Sequence, residues 1–376
     1  MTHPAPSPFR TLAGPTSRRA FLRAGGLGAL GLGALAACGG GGATAEPAAG
    51  GSSAAAAPSS VAPGSYGKLS LQFSWIKNIE FAGEYFADSK GYYSDAGFSS
   101  VDLVTGPVDS ADALVVAGTI DVGLSAPDAT ARLIAEQGAP LKIIGSTFQK
   151  NPFCILSLEE GKPIRTVADL AGKTIGIQAG TNQSIFEGFC KANSVDPSTF
   201  KTTVVQYEPT PLTEKKVDGF MAYTTNEPFL VKAEGFTPVT LPFADNGLPL
   251  TAETFCVLQE TIEKDREKLK AFLTAEIKGW NDAVADPEGG AKLATEVYGK
   301  GLGLKYAGQL EQLKAQNELV VSADTLANGL FTLTDEFVTK IIAAIGALGT
   351  TVTAEELFDL SLLKEIYAAD PSLIKG

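Results

Sequence analysis

The chain of 376 residues is almost without histidine, since its one histidine is His3. The rest of the chain therefore lacks the imidazole that Ser-His-Asp and Cys-His catalysis, histidine general bases and histidine metal sites require. Cysteine is scarce too: after Cys38 only Cys154, Cys190 and Cys256 follow, and none belongs to a CxxC pair. These absences argue against a histidine-dependent enzyme and against a cysteine-held metal.

The three later cysteines have two interpretations. Cys154 and Cys256 each lie in an apolar, strand-like run, NPFCILSL and ETFCVLQE. They could pair in an oxidising compartment, but three thiols cannot all pair. Buried, free thiols are the favoured interpretation.

The N-terminus has the composition of an export signal. The pair Arg18 and Arg19 precedes the short apolar run LGALGLGALAA, which ends at Cys38. A basic region, a short apolar segment and small residues are typical of a secretory leader, and the paired arginines resemble a twin-arginine signal. The sequence LAAC resembles a lipobox, and the apolar run is too short to be a comfortable transmembrane anchor. We therefore predict a signal peptide over 1–37 and lipid anchoring through Cys38 to the outer face of the cytoplasmic membrane.

Residues 38–67 consist mostly of Gly, Ala, Ser and Pro and contain one charged residue. Such a segment buries too little apolar surface to fold, so we predict a flexible linker there. The remaining part, about 310 residues, is large enough for two lobes. Without the four arginines of the leader, 26 basic residues stand against 42 acidic ones, a net charge of −16. That balance disfavours nucleic-acid binding, because nothing offsets the repulsion of phosphate.

From Lys68 onward, strand-like segments such as KLSLQFSWI, SSVDLVTG and LKIIGSTF alternate with helical segments. This alternation favours an α/β fold in which mostly parallel sheets are covered by helices. The pattern contains no solenoid repeat and no heptad run. From Glu263 onward it is chiefly helical, and we predict helices over 263–285, 288–298, 307–317, 332–347 and 354–367.

Ligands of open parallel sheets bind beyond the carboxyl ends of the strands, where loops lead into helices. Five such loops carry polar or aromatic side chains: 75–80, SAPD at 125–128, FQKN at 148–151, GTNQS at 180–184 and YTTNE at 223–227. The first also suits a core aromatic, SAPD and TNEP suit helix caps, and GTNQS lacks both glycine motifs of phosphate sites. Their shared position at strand ends is what favours a binding site.

The order of FAGEYFADSKGYYSDAGF, VVAGTIDVGLSAPD, GAPLKIIGSTFQKNP, VADLAGKTIGIQAGTN and GFMAYTTNEPFLVKAEGF resembles the substrate-binding lipoproteins of ABC importers. Within them it is similar to the branch that binds nitrate, sulfonates, taurine, thiamine pyrimidine precursors or riboflavin, and the resemblance covers about 68–365. It implies a two-lobed type II periplasmic-binding-protein fold with a helical C-terminal region, which clamps its ligand by hinge closure. Lobe one would be 68–152 plus 257–376 and lobe two 153–256. It also implies a monomer that delivers its ligand to an ABC transporter permease.

The candidate loops hold only Lys77 and Lys150 as bases, against Glu80, Asp128 and Glu227. Aromatic rings with carboxylates suit a flat, neutral or amino-bearing heterocycle, such as a thiamine-related aminopyrimidine or a flavin-type ring. An anionic solute, an aliphatic sulfonate, taurine or nitrate, would need a positive site and is the alternative. The candidate ligand-binding residues are Trp75, Asn78, Glu80, Phe81, Tyr85, Ser125, Asp128, Phe148, Gln149, Gly180, Thr181, Asn182, Tyr223, Asn226 and Glu227.

The same resemblance also includes a group of enzymes, which is the alternative to a binding protein. Eukaryotic pyrimidine synthases have this fold together with a cysteine-rich iron motif and an active-site histidine. After His3 the chain has no histidine, and its cysteines are not clustered. We therefore expect a binding protein that has no catalytic residue, no cofactor and no metal.

Overall fold

The structure, a computed structural model, describes residues 62–179 and 181–375, with only the backbone at Thr181. None of the described helices is both long enough and apolar enough to cross a bilayer. Several predicted features lie outside the described residues: the signal peptide 1–37 with Arg18 and Arg19, the lipidation site Cys38, Gly180 and the side chain of Thr181.

Ten strands of the described chain form two five-stranded sheets. The order of the first sheet is β2-β1-β3-β10-β4, and that of the second is β7-β6-β8-β5-β9. The strands are β1 (Gly67–Gln72), β2 (Phe98–Val104), β3 (Val122–Ser125), β4 (Leu141–Ser146), β5 (Phe153–Leu158), β6 (Thr174–Gln178), β7 (Lys201–Val205), β8 (Gly219–Tyr223), β9 (Pro238–Pro242) and β10 (Thr254–Leu258).

Helices connect the strands and make up most of the chain after β10. The α-helices are α1 (Ala82–Ser89), α2 (Tyr92–Asp95), α3 (Ala111–Val116), α4 (Pro127–Gln137), α5 (Thr181–Ala192), α6 (Thr210–Thr213), α7 (Glu227–Ala233), α8 (Gln259–Lys264), α9 (Arg266–Ala285), α10 (Pro287–Lys292), α11 (Tyr306–Val320), α12 (Ala323–Asn328), α13 (Asp335–Ala347), α14 (Ala354–Leu357) and α15 (Ser361–Ala369). Short 3-10 helices span Ile79–Phe81, Val167–Leu170, Pro197–Thr199 and Pro371–Leu373, and a π-helix spans Leu293–Tyr298. The predicted α/β class and the helical C-terminal region are confirmed.

Each sheet contains an antiparallel strand among parallel ones. In the first sheet β10 runs antiparallel to β3 and β4, and Thr254 lies opposite Ser125. In the second sheet β5 runs antiparallel to β8 and β9, and Phe153 lies opposite Tyr223. An antiparallel strand begins at the edge where its parallel neighbours end. The amino ends of β5 and β10 therefore join the carboxyl ends of the other strands.

Helix α1 packs closely on α9 in the hydrophobic core that also contains the side chains of β1. A Cβ added to Gly279 would lie 2.1 Å from the carbonyl oxygen of Gly83, and one added to Gly83 would lie 2.1 Å from the ring of Trp280. Glycine fits both positions, because a side chain at Gly279 would overlap the backbone of α1 and one at Gly83 would overlap the Trp280 ring. Trp280 is 1% exposed and belongs to the same core cluster as Phe73 and Tyr85.

The chain crosses between the two sheets twice, over residues 147–152 and 243–253. Backbone hydrogen bonds pair the crossings: the Thr147 amide donates to the Glu253 carbonyl at 3.0 Å, and the Phe148 amide to the Ala252 carbonyl at 3.3 Å. We call this pair of segments the hinge ribbon. Thr254, the first residue of β10, already belongs to the first sheet, and the lobe boundary at residue 256 stays a prediction.

The last predicted helix, 354–367, is two helices in the structure, α14 and α15. Between them Phe358 has an extended backbone and forms an isolated parallel bridge with Ile143 of β4. This pairing with the sheet edge interrupts the helix, although the local sequence pattern continues. Cys154, Cys190 and Cys256 are buried and unpaired, in agreement with the favoured interpretation.

Candidate functional site

A cleft of about 340 Å³ lies where the ends of the two sheets face each other. Residues that follow β1, β3, β6 and β8 line it, as the strand-end rule predicts. The predicted ligand-binding residues that line this cleft are Trp75, Glu80, Ser125, Asn182, Tyr223, Asn226 and Glu227. Six other predicted ligand-binding residues that the structure describes do not line the cleft: Asn78, Phe81, Tyr85, Asp128, Phe148 and Gln149.

Trp75 forms the wall of the first lobe at the cleft. The Gly106 amide donates to the Trp75 carbonyl at 2.8 Å, and a Cβ on Gly106 would lie 2.6 Å from the Phe73 carbonyl oxygen. Only glycine allows this close approach of two loops. From the second lobe, Tyr207 meets the Trp75 ring edge to face at 6.0 Å, and it is 39% exposed. The two rings therefore meet at the cleft from opposite lobes.

Glu80 is held in place by two predicted residues that do not reach the cleft. Asn78, 3% exposed, caps the 3-10 turn, and its Oδ1 accepts from the Glu80 amide at 2.9 Å. The hydroxyl of Tyr85 donates to the Asn78 carbonyl at 2.8 Å. Burial, followed by repulsion from Glu253 and Glu227, raises the pKa of Glu80 well above its usual range. Asn78 and Tyr85 thus position an acid at the wall instead of lining it.

The remaining predicted aromatic residues form a layer behind the cleft. Phe81 is 1% exposed and stacks on Phe73 at 4.0 Å. Phe148 is fully buried and packs edge to face on Tyr223 at 6.3 Å, while Phe153 does so at 4.6 Å. These contacts fix the ring of Tyr223, which itself lines the cleft. Phe81 and Phe148 therefore lie behind the lining and contact neighbouring rings instead of the cleft.

Glu227 begins α7 and folds back on the end of β8. Its Oε2 accepts from the Tyr223 amide at 2.8 Å, and its Oε1 accepts from Asn226 Nδ2 at 3.2 Å. Asn226 occupies the N-cap position of α7 but makes no side-chain cap. Burial raises the pKa of Glu227 to about 7, against the lowering effect of these hydrogen bonds.

Glu253, at the end of the hinge ribbon, is a cleft residue outside the predicted set. It is 3% exposed and has a left-handed backbone, with φ of 54°. Its Oε1 accepts from Ser74 Oγ at 2.8 Å. Burial raises the pKa of Glu253 to about 7, although the hydrogen bond from Ser74 opposes this shift.

The SAPD loop contributes Ser125 and Ala126 to the cleft. Ser125 and Thr130 both donate hydrogen bonds to the carboxylate of Asp112, which is 1% exposed and also lines the cleft. Ala126 is the N-cap of α4, so neither Ser125 nor Asp128 caps that helix. Asp128 is buried behind the lining, and burial raises its pKa to about 6 while the charge of Arg132 opposes the shift.

Two amide side chains connect β6 to α5 at the cleft. Asn182 Nδ2 donates to Gln178 Oε1 at 2.9 Å, and Gln178 Nε2 donates to the Met221 carbonyl at 3.1 Å. All three residues line the cleft. Gln149 lies elsewhere, where its Nε2 donates to the Ser146 carbonyl at 3.3 Å.

Acids dominate the charge of the cleft. Among the described lining residues there is no lysine, arginine or histidine. Lys150 forms an exposed ion pair with Asp245 at 2.8 Å, and Lys77 is outside the lining. The acids of the lining are Glu80, Asp109, Asp112, Glu227 and Glu253.

Sequence reasoning missed two loops and one acid. Residues 107–112 after β2 and 204–207 at the end of β7 also line the cleft. The strand-end rule applies equally to β2 and β7, so their loops could have been found in the same way. Glu253 could not, because it precedes a strand and reaches the cleft only through the antiparallel direction of β10.

Comparison with known proteins gives related chains and folds. The riboflavin-binding protein RibY of Chloroflexus aurantiacus is 27% identical over 235 residues, which is 61% of this chain and 66% of RibY, just under two thirds. The 4-amino-5-hydroxymethyl-2-methylpyrimidine phosphate synthase of Schizosaccharomyces pombe is 25% identical over 59% of this chain and 67% of its own. The periplasmic nitrate-binding protein NrtA of Synechocystis PCC 6803 superposes with a TM-score of 0.59, at 14% identity, over 82% of this chain and 91% of NrtA.

The nitrate-binding protein shares the fold, and its low identity carries no further conclusion. The family description "NMT1/THI5 like" matches residues 78–290, which is more than half of the chain. That region contains every described strand except β1, and it contains every described acid of the cleft. The chain belongs to the NMT1/THI5-like family.

Proposed function

We propose that the protein is an extracytoplasmic solute-binding protein that captures a small heterocyclic nutrient between its lobes and delivers it to an ABC permease. The observation that supports this most is the described lining of the cleft, which combines aromatic rings and five carboxyl groups with no basic side chain. Carboxylates accept hydrogen bonds from ring and exocyclic N–H groups, and aromatic faces stack on flat rings. The cleft volume of about 340 Å³ falls within the range of small-molecule sites.

The names of two relatives agree with this ligand class. One is called a riboflavin-binding protein and the other a pyrimidine phosphate synthase, so both are associated with pyrimidine-containing rings. We propose a thiamine-related aminopyrimidine or a flavin-type ring for this chain. The acidic lining disfavours a sulfonate, taurine or nitrate, because a buried anion needs cationic or converging donor groups.

A binding assay tests the ligand class. We would measure the melting temperature of the purified full-length protein with riboflavin, 4-amino-5-hydroxymethyl-2-methylpyrimidine, taurine and nitrate. A ligand at a hundred times its Kd stabilises the native state by about 2.7 kcal/mol. We expect stabilisation by a heterocycle only. Stabilisation by taurine or nitrate alone would show that the acidic lining has been misinterpreted.

An enzymatic role is disfavoured by the absence of histidine after His3. The relative named as a synthase makes a direct assay worthwhile, however. Incubation with pyridoxal phosphate and iron, followed by analysis for a pyrimidine product, should give no turnover. Product formation would replace the binding function with a catalytic one.

The export and anchoring part of the proposal depends on the N-terminal segment. We propose that Arg18 and Arg19 direct export and that Cys38 carries the lipid, which leaves 38–67 as a tether for a monomeric binding protein. In cells, Cys38→Ala should move the exported protein from the membrane fraction to the soluble fraction. A variant that stays with the membrane would contradict lipid anchoring at this residue.

A further inference from the structure

The carboxyl groups of the cleft differ in how many of their oxygens already have partners. Both oxygens of Glu227 and both of Asp112 accept hydrogen bonds from neighbouring groups. Glu80 Oε1 and Glu253 Oε2, in contrast, are buried and accept no hydrogen bond from any described N–H or O–H group. A buried acceptor without a donor is costly, so these two atoms need either a proton or a ligand.

The two acids line the same cleft, and each is held from behind. Each also influences the pKa of the other, as expected for neighbouring carboxyl groups. The Asn78 cap orients the turn that carries Glu80, and the Ser74 hydroxyl fixes the other oxygen of Glu253. Because the backbone of Glu80 and the Oε1 atom of Glu253 are held in place, the two carboxyl groups present the same arrangement of oxygens to every incoming ligand.

The surroundings of the pair favour one shared proton. The charged or titratable groups that face it are Glu227, Glu84 and Tyr223, and no cation lines the described part of the cleft. Two neighbouring carboxylates repel each other when both are ionised. The pair therefore titrates as a unit and retains one proton. A singly protonated pair offers one O–H donor beside carboxylate acceptors.

Building on the proposed function, we propose that Glu80 and Glu253 together bind the edge of a pyrimidine-type ring on which a donor and an acceptor are adjacent. The protonated carboxyl donates to a ring nitrogen or carbonyl oxygen, and the ionised carboxylate accepts from the neighbouring N–H group. Aminopyrimidines and the pyrimidine ring of flavins both carry such an edge. The same pair repels an anion, which gives the cleft its selectivity.

The test is isothermal titration calorimetry of the full-length protein with riboflavin and with 4-amino-5-hydroxymethyl-2-methylpyrimidine, from mildly acidic to mildly alkaline pH. We expect wild-type affinity to fall at alkaline pH, because a fully ionised pair has lost its donor. Glu80→Gln and Glu253→Gln keep an amide donor at every pH and should bind with a flatter pH profile. Glu80→Ala and Glu253→Ala should lose about tenfold or more at all pH values, because the ring edge then lacks its partner.

Glu276→Gln is the matched control, since it changes a buried glutamate that lies outside the cleft lining and is not among the groups facing the pair. Its binding profile should equal that of the wild type. In the wild type, titrations in buffers of different ionisation enthalpy should also show proton uptake on binding at alkaline pH. This measurement does not depend on the folding of any variant.

The outcomes separate the two levels of the proposal. If the wild type binds neither ring compound, the proposed function fails. If it binds one of them without proton linkage, or if both alanine variants of the pair bind as the wild type does, the inference about Glu80 and Glu253 is wrong while the proposed function stands. Loss of affinity in the alanine variants together with flatter profiles in the glutamine variants supports both.

Discussion

Two groups of buried glutamates lie within one helical turn of each other, at Glu80 in the cleft and at Glu84 in the core. Glu84 and Glu276 are 1% and 0% exposed between α1 and α9, where Tyr93 donates to Glu276 at 2.5 Å. Burial raises the pKa of Glu84 well above its usual range and that of Glu276 to about 8. The core acids thus respond to burial as Glu80 and Glu253 do, but only Glu80 and Glu253 line the cleft.

The two tryptophans of the chain divide in the same way. Trp280 is 1% exposed between the helices of the core, whereas Trp75 is half-buried at the cleft. Comparable side chains therefore have different surroundings, the helical core for Trp280 and the cleft for Trp75. Substitutions in matched pairs can test this difference.

The largest effect is expected for Trp280→Ala. Removal of a fully buried indole from a tightly packed core costs about 3–5 kcal/mol of unfolding free energy. Urea denaturation followed by circular dichroism would measure the loss. The fraction that remains folded should still bind ligand with wild-type affinity, and a specific loss of affinity would contradict the purely structural role.

Trp75→Ala should weaken ligand binding and leave the stability of the fold nearly unchanged. Loss of an aromatic stacking surface costs about 1–3 kcal/mol of binding free energy, or roughly tenfold to a hundredfold in Kd. The free energy of unfolding should change little, because the side chain is only partly buried. Calorimetry with the ligand found in the thermal-shift panel would measure the affinity. Unchanged affinity would assign Trp75 to the core.

Glu276 provides a pH test of the core. Its pKa lies near 4.5 in the unfolded chain and at about 8 in the folded protein, so the folded state retains a proton that the unfolded state has lost between these values. The stabilisation is complete below pH 4.5 and is lost as pH rises to about 8. Glu276→Gln should reduce the slope of unfolding free energy against pH by up to about 1.4 kcal/mol per unit. The exposed Glu260→Gln is the control, and equal slopes in both variants would refute the assignment.

The smallest effect is expected for Tyr207→Ala. An edge-to-face aromatic pair contributes about 0.5–1.5 kcal/mol beyond its buried area. Loss of the contact with Trp75 should weaken ligand binding only severalfold, while Tyr207→Phe should preserve it. If the alanine variant binds tighter, the contact between the rings opposes ligand entry instead of favouring closure.

Local sequence was sufficient to predict those cleft residues that lie at or just after the ends of strands. Trp75 follows β1, Tyr223 ends β8 and Glu227 comes shortly after it, so the rule for parallel sheets is enough to place them at one edge. It was insufficient where the answer depends on distant packing. Phe81 and Tyr85 have the spacing of a helix that could face the cleft, but Tyr85 stacks on Tyr298 at 4.3 Å, 213 residues away along the chain.

Glu253 illustrates another limit. Its place at the cleft requires the direction of β10 and a left-handed backbone at a residue other than glycine. Neither property is encoded in a short motif. Glu84 and Glu276 show the same limit for the interior, because a helical pattern gives no sign that two carboxyl groups meet inside a core. The ends of elements are predictable, and the contacts between distant elements are not.

The hinge ribbon has a mechanical consequence. Two hydrogen-bonded segments resist bending in their common plane more than they resist twisting, so the ribbon would act as the hinge for relative motion of the lobes. Glu253 lies in this ribbon next to β10 of the first sheet, and Glu80 lies in the turn that follows β1 of the same sheet. The distance between the two carboxyl groups would therefore hardly change between open and closed states, and an open cleft would already have the geometry that a ring edge needs.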